Sequence, residues 1–476
     1  MSNTKIIVEN HQSTLLGCPE AVYSKIHKAL RFRDRGYFHS VLYKRKLWDG
    51  FIEFMKKDNG KFLTGLLPEI EGALKMLEVE YEFIDQRTNV DFLYEKIDQN
   101  FLNQWLKPGE KPIELYDYQV ELINQALKYK RGIIQAPTSA GKTNIMISIL
   151  KSLPSNCPTL ILANRKSLVE QNYEEMQKWG FPNIGRLYDK YNEPNMFTCA
   201  TVQSIKKIEK VLPKIKALIV DEIHEMTSKG PKRAYNKMKD CSIRIAVSAT
   251  PFKFGGQDKV QKYTVKGYFG PVFTSTTAGE EKVLTTKSLQ ERKILSESKC
   301  IFYPVREPDL QYEVYQDAVT YGIARNFHLH KMVQKLVSTL SGRTLILVER
   351  IEHGDMLADL IPQASWVKGE DTSETRKVVI DQLKHSESAI GIATSGIFNT
   401  GLNVFVHNLI NCASGQAEHM IIQRMGRGLR TAKDKDICNY YDFLFHNNEY
   451  LYKHSMKRVK ILQKEGHEVE IKEFNL

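Results

Sequence analysis

Ala136-Pro137-Thr138-Ser139-Ala140-Gly141-Lys142-Thr143 is the stretch from which the rest of this 476-residue chain can be read. Just before it, Gly132-Ile133-Ile134-Gln135 is a short apolar run with β-branched residues and reads as a buried strand. Just after it, Asn144 to Leu150 (NIMISIL) reads as a helix packed on that strand. A loop between a strand end and a helix N-terminus directs several backbone N–H groups at one point, where the helix dipole adds positive potential. Small residues let the backbone close on a phosphate, Lys142 can reach the outer phosphates, and the Thr143 hydroxyl can hold Mg²⁺. Ala136 stands where the general pattern has its first glycine, and a Gly-Lys-Thr can fall in a loop by chance. The octet therefore needs support from elsewhere in the chain.

That support comes from Ala217-Leu218-Ile219-Val220-Asp221-Glu222-Ile223-His224, an apolar strand that delivers two carboxylates to its C-terminal edge. Ligands of open α/β sheets sit at that edge. A hard cation bridging nucleotide phosphates wants a carboxylate, which Asp221 can supply. Glu222 can then orient and deprotonate an attacking water. Two acids at a strand end mean little alone, since loops are full of them. On a strand neighbouring a phosphate loop they carry weight.

The surrounding pattern fits. Short β-rich runs at Ile133–Gln135, Thr159–Ala163, Phe197–Thr201, Ala217–Asp221 and Ile243–Ser248 alternate with helices, as in doubly wound parallel sheets. A Gly- and Lys-rich stretch after Pro251 leads to a hairpin-like region through Tyr303, and then a helical block spans Asp309 to Leu340. A second alternating series opens at Thr344–Val348, continues at Ile390–Ala393 and Asn408–Cys412, and ends near Cys438–Phe443. The last thirty residues read as helical and basic, with Lys453, Lys457, Arg458, Lys460 and Lys464.

Upstream of the loop, residues 1–112 follow another logic. Lys5–Val8, Gly50–Met55, Lys61–Leu63 and Val79–Ile84 read as strands, Pro19–Phe32 and Pro68–Leu77 as helices, and Asp58-Asn59-Gly60 as a turn. A βαββαβ order predicts a small α+β domain of ferredoxin-like type. Residues 94–112 read as a linker with one amphipathic helix ending near Leu106. The first 65 residues hold 12 Lys/Arg against 6 Asp/Glu. Arg31-Phe32-Arg33-Asp34-Arg35-Gly36-Tyr37 and Tyr43-Lys44-Arg45-Lys46-Leu47-Trp48 interleave cations with aromatics, a combination that neutralises phosphates and stacks on exposed bases. A solvated face with its aromatics turned inward would give the same string.

Composition bounds the function classes. At 42% hydrophobic and 26% charged the chain reads as globular. A net charge of +12 and a pI near 9.1 suit a polyanionic partner. No apolar run approaches membrane-spanning length and MSNTKIIVEN lacks a secretory core, so a soluble cytoplasmic protein is expected. The 7 cysteines are scattered without a CxxC pair and fit free thiols in a reducing compartment.

Taken together, the motifs resemble those of superfamily-two helicases and translocases, in the expected order over residues 115 to about 445. Tyr116-Asp117-Tyr118-Gln119 resembles the adenine-reading Q motif and APTSAGKT the first motif, with Ser139 in place of its usual glycine. Ala163-Asn164-Arg165-Lys166-Ser167-Leu168 with Gln171 resembles motif Ia, and Thr201-Val202-Gln203-Ser204 motif Ib or Ic. Asp221-Glu222-Ile223-His224 is a DExH box and Ser248-Ala249-Thr250 resembles motif III. Ala393-Thr394-Ser395-Gly396 through Thr400-Gly401-Leu402-Asn403 resembles motif V, with Asn403 where many relatives have Asp. Gln423-Arg424-Met425-Gly426-Arg427-Gly428-Leu429-Arg430 resembles motif VI.

The resemblance implies two tandem RecA-like parallel-sheet motor domains (113–300 and 301–445), preceded by the small α+β domain (1–112) and followed by a basic helical extension (446–476). It implies ATP and Mg²⁺, with Thr143 and Asp221 on the metal. Tyr118, Gln119, Pro137, Thr138, Ser139, Ala140, Gly141, Lys142, Thr143, Gly401 and Asn403 would line the nucleotide. Lys142, Asp221, Glu222, His224, Gln423, Arg427 and Arg430 would form the catalytic set. Arg427 and Arg430 would act as cations on the γ-phosphate from the second motor domain, so that hydrolysis needs a closed cleft. Arg165, Lys166, Gln203, Ser204 and Thr394 would contact DNA phosphates, joined by Lys44, Arg45, Lys46 and Trp48 of the first domain.

Within the superfamily the chain looks most like the bacteriophage UvsW-like branch-migration group. Phe38, Trp48-Asp49-Gly50, Gly65-Leu66-Leu67, Arg325-Asn326 and Gly354 add looser matches. Branched or duplex DNA is the implied partner, the protein acting as a monomer, in the bacterial host cytoplasm if phage-encoded. An RNA helicase or the motor subunit of a restriction system shares the core motifs. Pro308-Asp309 and Glu313 sketch a nuclease motif, but Val314-Tyr315 follow where a lysine is needed. A DNA-binding scaffold without activity would have no reason to keep Lys142, Asp221, Glu222, Arg427 and Arg430 together.

Overall fold

Alternation of buried and half-buried residues builds the first sheet. In Lys5–Val8 the side chains of Ile6 and Val8 are fully enclosed while Lys5 and Ile7 are not. The computed structural model describes residues 4–252, 256–275, 284–371, 378–379, 381–383, 386, 388–396, 406–415, 421 and 437–474. They form two compact units, Met1–Ala136 with Gly141–Val283 and Leu284–Leu476 with Pro137–Ala140.

The N-terminal region is α+β. Its four strands lie in the order Lys61–Leu63, Gln12–Leu16, Lys5–Val8, Glu82–Asp85, the first two pairs antiparallel and the last parallel. Helices Glu20–Ala29 and Leu67–Met76 contribute Ile26, Ile70 and Leu74 to its core. This differs from the ferredoxin-like order. The polar string Gln12-Ser13-Thr14 hides a strand, which forms a hairpin on Lys5–Val8 before the expected helix, found at Glu20–Ala29. Arg31–Arg33 pairs with Phe51–Glu53 as a separate ribbon. The helix expected before Leu106 is a single 3₁₀ segment, Phe101–Trp105.

This region is fixed to the next sheet through helix Lys259–Phe269. A Cβ on Gly65 would lie 2.1 Å from the Lys266 carbonyl oxygen, so only glycine permits the approach. Lys266 Nζ meets Glu69 Oε1 at 2.5 Å, both largely shielded from water. Tyr263 packs on Phe32 with ring centroids 4.5 Å apart and on Phe54 at 5.8 Å.

The second sheet runs Tyr191–Glu193, Ile184–Tyr188, Phe197–Thr201, Thr159–Ala163, Ala217–Asp221, Ile243–Ser248, Arg131–Gln135, Val272–Phe273. All its pairs are parallel except the edge hairpin of the first two strands. Its central strands are buried along their length, as parallel strands covered on both faces must be.

The third sheet, in the second unit, is wholly parallel: Ala364–Val367, Ile390–Thr394, Thr344–Val348, Asn408–Asn411, Ile437–Phe445, Glu297–Val305, Glu468–Ile471. The hairpin expected through Tyr303 is instead strand Glu297–Val305, paired in parallel with Ile437–Phe445. Two parallel α/β sheets, one per unit, give tandem RecA-like motor folds behind the small α+β region.

The C-terminal residues also belong to this third sheet. Strand Glu468–Ile471 is its edge, and helix Glu449–Lys464 lies on it through Arg458. Arg458 is fully buried, its Nε and Nη2 donating to the Asp442 carboxylate at 2.9 and 2.7 Å. Asn411 Nδ2 and the Tyr440 hydroxyl donate to the same carboxylate at 2.9 and 2.7 Å. A buried charge so fully paired is costly to break, by about 3–5 kcal/mol. Arg458, one of the basic residues of the expected C-terminal helix, is thus a structural pin.

Candidate nucleotide site

The loop leaves strand Arg131–Gln135 at its C-terminal end and enters helix Lys142–Lys151. Ser139 (φ 69°) and Gly141 (φ 75°) both have left-handed backbone, the type of conformation that turns successive N–H groups into an anion-holding concavity. Gly141 is needed for a second reason, since a Cβ there would sit 2.2 Å from Gln119 Nε2. Gln119 is lodged against the loop, its Oε1 accepting from the Tyr116 N–H at 3.0 Å. The Thr138 hydroxyl oxygen is buried with no hydrogen-bond partner. A phosphate oxygen would satisfy it. The loop therefore fits the phosphates of a nucleotide.

Tyr118, expected to read the base, is fully enclosed and cannot stack on one. Its neighbour Tyr116 is 45% exposed and lies parallel to Tyr118 with centroids 5.5 Å apart.

Lys142 Nζ donates to Glu222 Oε1 at 3.1 Å. The Ser248 hydroxyl donates to Glu222 Oε2 at 2.7 Å, and His224 Nδ1 lies 3.3 Å from that oxygen and 3.2 Å from Ser248 Oγ. Glu222 itself has left-handed backbone (φ 53°), a strained conformation that costs a non-glycine residue about 1–3 kcal/mol and marks functional positions. Burial alone would raise its pKa, but Lys142, His224 and Ser248 outweigh burial and hold the carboxyl well below the usual range. Asp221 is displaced the other way. Burial first, and then the adjacent Glu222 charge, raise it, with Lys142 opposing. In this arrangement Glu222 is held as a carboxylate and Asp221 is the one of the pair that binds a proton more readily.

The acids do not lie on the strand next to the loop strand. Ile243–Ser248 runs between Ala217–Asp221 and Arg131–Gln135. That interposed strand links the two, because the Ser248 carbonyl accepts the Ala136 N–H at 3.2 Å while its hydroxyl holds Glu222. Ser248 thus touches the base of the phosphate loop and the DExH box at once. Its role was visible in the sequence only as part of motif III.

For Mg²⁺, Thr143 and Asp221 stand at the same C-terminal edge of this sheet. Among the described residues no cluster of three or more His, Cys, Asp or Glu is built to hold a metal. A hard ion held by one carboxylate, one hydroxyl and phosphate oxygens needs none.

The expected DNA contacts divide. Arg165 Nη2 and Asn164 Nδ2 both donate to Glu225, at 3.1 and 2.9 Å, so Arg165 ties motif Ia to the residue after the DExH box. Nothing in the sequence singled out Glu225. Lys166 is exposed and pairs with Asp189 at 3.0 Å. Ser204 is buried and accepts from the Thr201 hydroxyl at 3.0 Å, which leaves its side chain structural, whereas Gln203 is exposed. Lys44, Arg45 and Lys46 are exposed and Trp48 half-buried. In the second unit Thr394 ends strand Ile390–Thr394, half-buried. Gly401, Asn403, Gln423, Arg427 and Arg430 lie outside the described residues.

Comparison with known proteins agrees with this geometry. Residues 112–253 match the family described as type III restriction enzyme, res subunit. The chain is 23% identical to the ATP-dependent DNA helicase uvsW of Enterobacteria phage T4, with 99% of each chain covered. It is 22% identical to the DNA 3'-5' translocase XPB2 of Sulfurisphaera tokodaii, covering 76% of this chain and 88% of that one. The fold of Saccharomyces cerevisiae Dbp5, solved bound to RNA and ADP BeF3, superposes with a TM-score of 0.51 at 15% identity, covering 74% of this chain and 89% of that one. The phosphate loop, the DExH box bridged to it through Ser248, and the similarity along the whole chain make this protein similar to ATP-dependent DNA helicases.

Proposed function

We propose that the chain is an ATP-dependent DNA helicase or translocase that remodels branched DNA, by fork regression and branch migration, in phage replication, recombination or repair. The observation that carries the ATPase reading is the contact series Lys142–Glu222–Ser248–Ala136, which joins the phosphate loop to the DExH box. The branched-DNA reading is supported by full-length similarity to uvsW and by the exposed cations of the N-terminal region. Residues 1–112 are read as the branched-DNA module, 113–300 and 301–445 as the motors, and 446–476 as an extension of the second motor.

ATP phosphates would be held by backbone N–H groups at the loop's turn into helix Lys142–Lys151, by Thr138 and by Lys142. Mg²⁺, held by Thr143 and Asp221, would neutralise phosphate oxygens. Lys142 is the counter-ion of Glu222; when a phosphate draws its ammonium away, the carboxylate keeps only Ser248 and His224. Its proton affinity then rises, toward that of a base able to take a proton from water. Ser248 keeps the carboxylate aimed throughout. Arg427 and Arg430 would balance charge developing on the transferred phosphoryl group.

Lys142→Ala and Glu222→Gln should each abolish ATP hydrolysis while DNA binding persists, because neither side chain is proposed to touch DNA. Lys44→Glu combined with Lys46→Glu should cut binding and unwinding of forks and four-way junctions while turnover on linear DNA survives. Wild-type turnover by Lys142→Ala would remove the ATPase reading, and unchanged junction binding by the double variant would remove the N-terminal one.

A further inference from the structure

Four large apolar side chains are exposed within ten residues: Phe38 (51%), Val41 (59%), Leu42 (54%) and Leu47 (72%). Phe38, Val41 and Leu42 belong to a knuckle made of the 3₁₀ turn Tyr37–His39 and the short helix Val41–Lys44, and Leu47 follows that helix. Beside it lies an open recess of about 830 Å³ lined by Phe38, Tyr43, Leu47 and Trp48, with Lys44 and Lys46 at its rim. Its walls are held in place. The Trp48 indole N–H donates to the Phe51 carbonyl at 2.7 Å, and the Tyr43 ring meets Tyr37 edge-on with centroids 4.7 Å apart. Asp49, the one acid lining the recess, is already engaged by Arg31 and by the Phe51 N–H.

The helix end beside the recess has a residue that stability would not choose. Leu47 N–H donates to the Leu42 carbonyl and Lys46 N–H to the Tyr43 carbonyl, each at 2.9 Å, which is the Schellman termination of a helix. The residue at its left-handed position is normally glycine, yet here it is Lys46 with φ 56°. A cation is kept at a strained position on the rim of an aromatic recess.

We propose that this recess receives an unpaired nucleobase of branched DNA, stacked against Phe38 and Trp48, while Lys44 and Lys46 hold its flanking phosphates. The proposal rests on the reading of residues 1–112 as a DNA-binding region and adds to it the feature recognised, a base outside the helical stack. Charge favours this occupant, since the rim is cationic and its acid is neutralised. Aromatic walls accept the face of any base, so the site would find unpaired positions without reading sequence.

The test uses the full-length protein and a duplex with one extrahelical 2-aminopurine, the same duplex with an abasic unit at that place, and a fully paired duplex. The expected result is binding on the order of tenfold tighter to the base-bearing site than to the abasic one. The 2-aminopurine fluorescence should fall on binding, and both effects should vanish in Phe38→Ala, whose exposed position leaves thermal stability unchanged. Lys46→Gly, which suits the helix termination better, should keep or raise the melting temperature yet weaken binding to both unpaired sites. Equal wild-type affinity for the base-bearing and abasic duplexes overturns the base-capture proposal. If Lys44→Glu with Lys46→Glu still weakens binding to forks in that case, the N-terminal DNA reading stands without it. If that double variant binds forks like wild type, the reading it rests on falls instead.

Discussion

The chemistry turns on a few side chains around Glu222, and two predictions belong at that scale. Asp221 is buried beside a second carboxylate, and its pKa is raised from the ordinary carboxylate value. A group that binds protons more tightly when folded stabilises the fold at low pH and loses that contribution as pH rises through its folded pKa. Asp221→Asn should therefore melt above wild type at pH 7.5 in EDTA, by about 2–4 °C for each kcal/mol of repulsion removed. The difference should shrink at pH 5, where the wild-type carboxyl is protonated. Differential scanning calorimetry at the two values checks this; an equal or lower melting temperature at pH 7.5 contradicts it. Ser248→Ala should lower kcat about tenfold, the effect of one lost hydrogen bond to a charged group, with KM for ATP little changed. The acid limb of its pH–rate profile should move up, because Glu222 loses a donor that favours its charged form. A loss confined to KM would contradict the role given to Ser248.

Elements were legible where their sequence pattern had one cause. The buried parallel strands Thr159–Ala163, Phe197–Thr201, Ala217–Asp221 and Ile243–Ser248 have the limits that their apolar runs announce. Gln12–Leu16 escaped because its buried positions alternate through Ser13, a polar residue that hydrogen-bonds Thr64 at 3.0 Å inside the sheet. Glu297–Val305 was misread because two distant strands, Ile437–Phe445 and Glu468–Ile471, provide its pairing, and no local signal carries that. Within the site the motif strings named Lys142, Asp221 and Glu222, but motif spacing cannot show which tyrosine faces solvent or that Glu225 holds Arg165. Those depend on tertiary packing. Gly65, in one of the looser family matches, has a plain physical reason in the approach of the Lys266 carbonyl. Gly65→Ala should separate the first sheet from helix Lys259–Phe269 and lower the melting temperature by several degrees, consistent with overpacking costs of about 1–3 kcal/mol. Unchanged stability would mean that the two are not held as described.

At the scale of the whole molecule, charge and motor chemistry must meet on a polyanion. The net charge of +12 includes the excess of 12 Lys/Arg over 6 Asp/Glu in the first 65 residues. Binding through phosphates predicts an affinity for duplex DNA that falls by about 10³ or more between 50 and 200 mM salt, with little dependence on sequence. A salt response under tenfold, or a hundredfold preference among random duplexes of equal length, would contradict phosphate-based grip. The central claim joins ATP hydrolysis at Glu222 to branched DNA, and one measurement reaches it most directly. ATP turnover of wild type and Glu222→Gln is followed in parallel with no nucleic acid, single-stranded DNA, linear duplex, forks, four-way junctions and RNA. The account predicts turnover that rises with DNA, most on forks and four-way junctions, little on RNA, and none for Glu222→Gln on any of them. Stimulation by RNA equal to that by junctions, or wild-type turnover by Glu222→Gln, would contradict it.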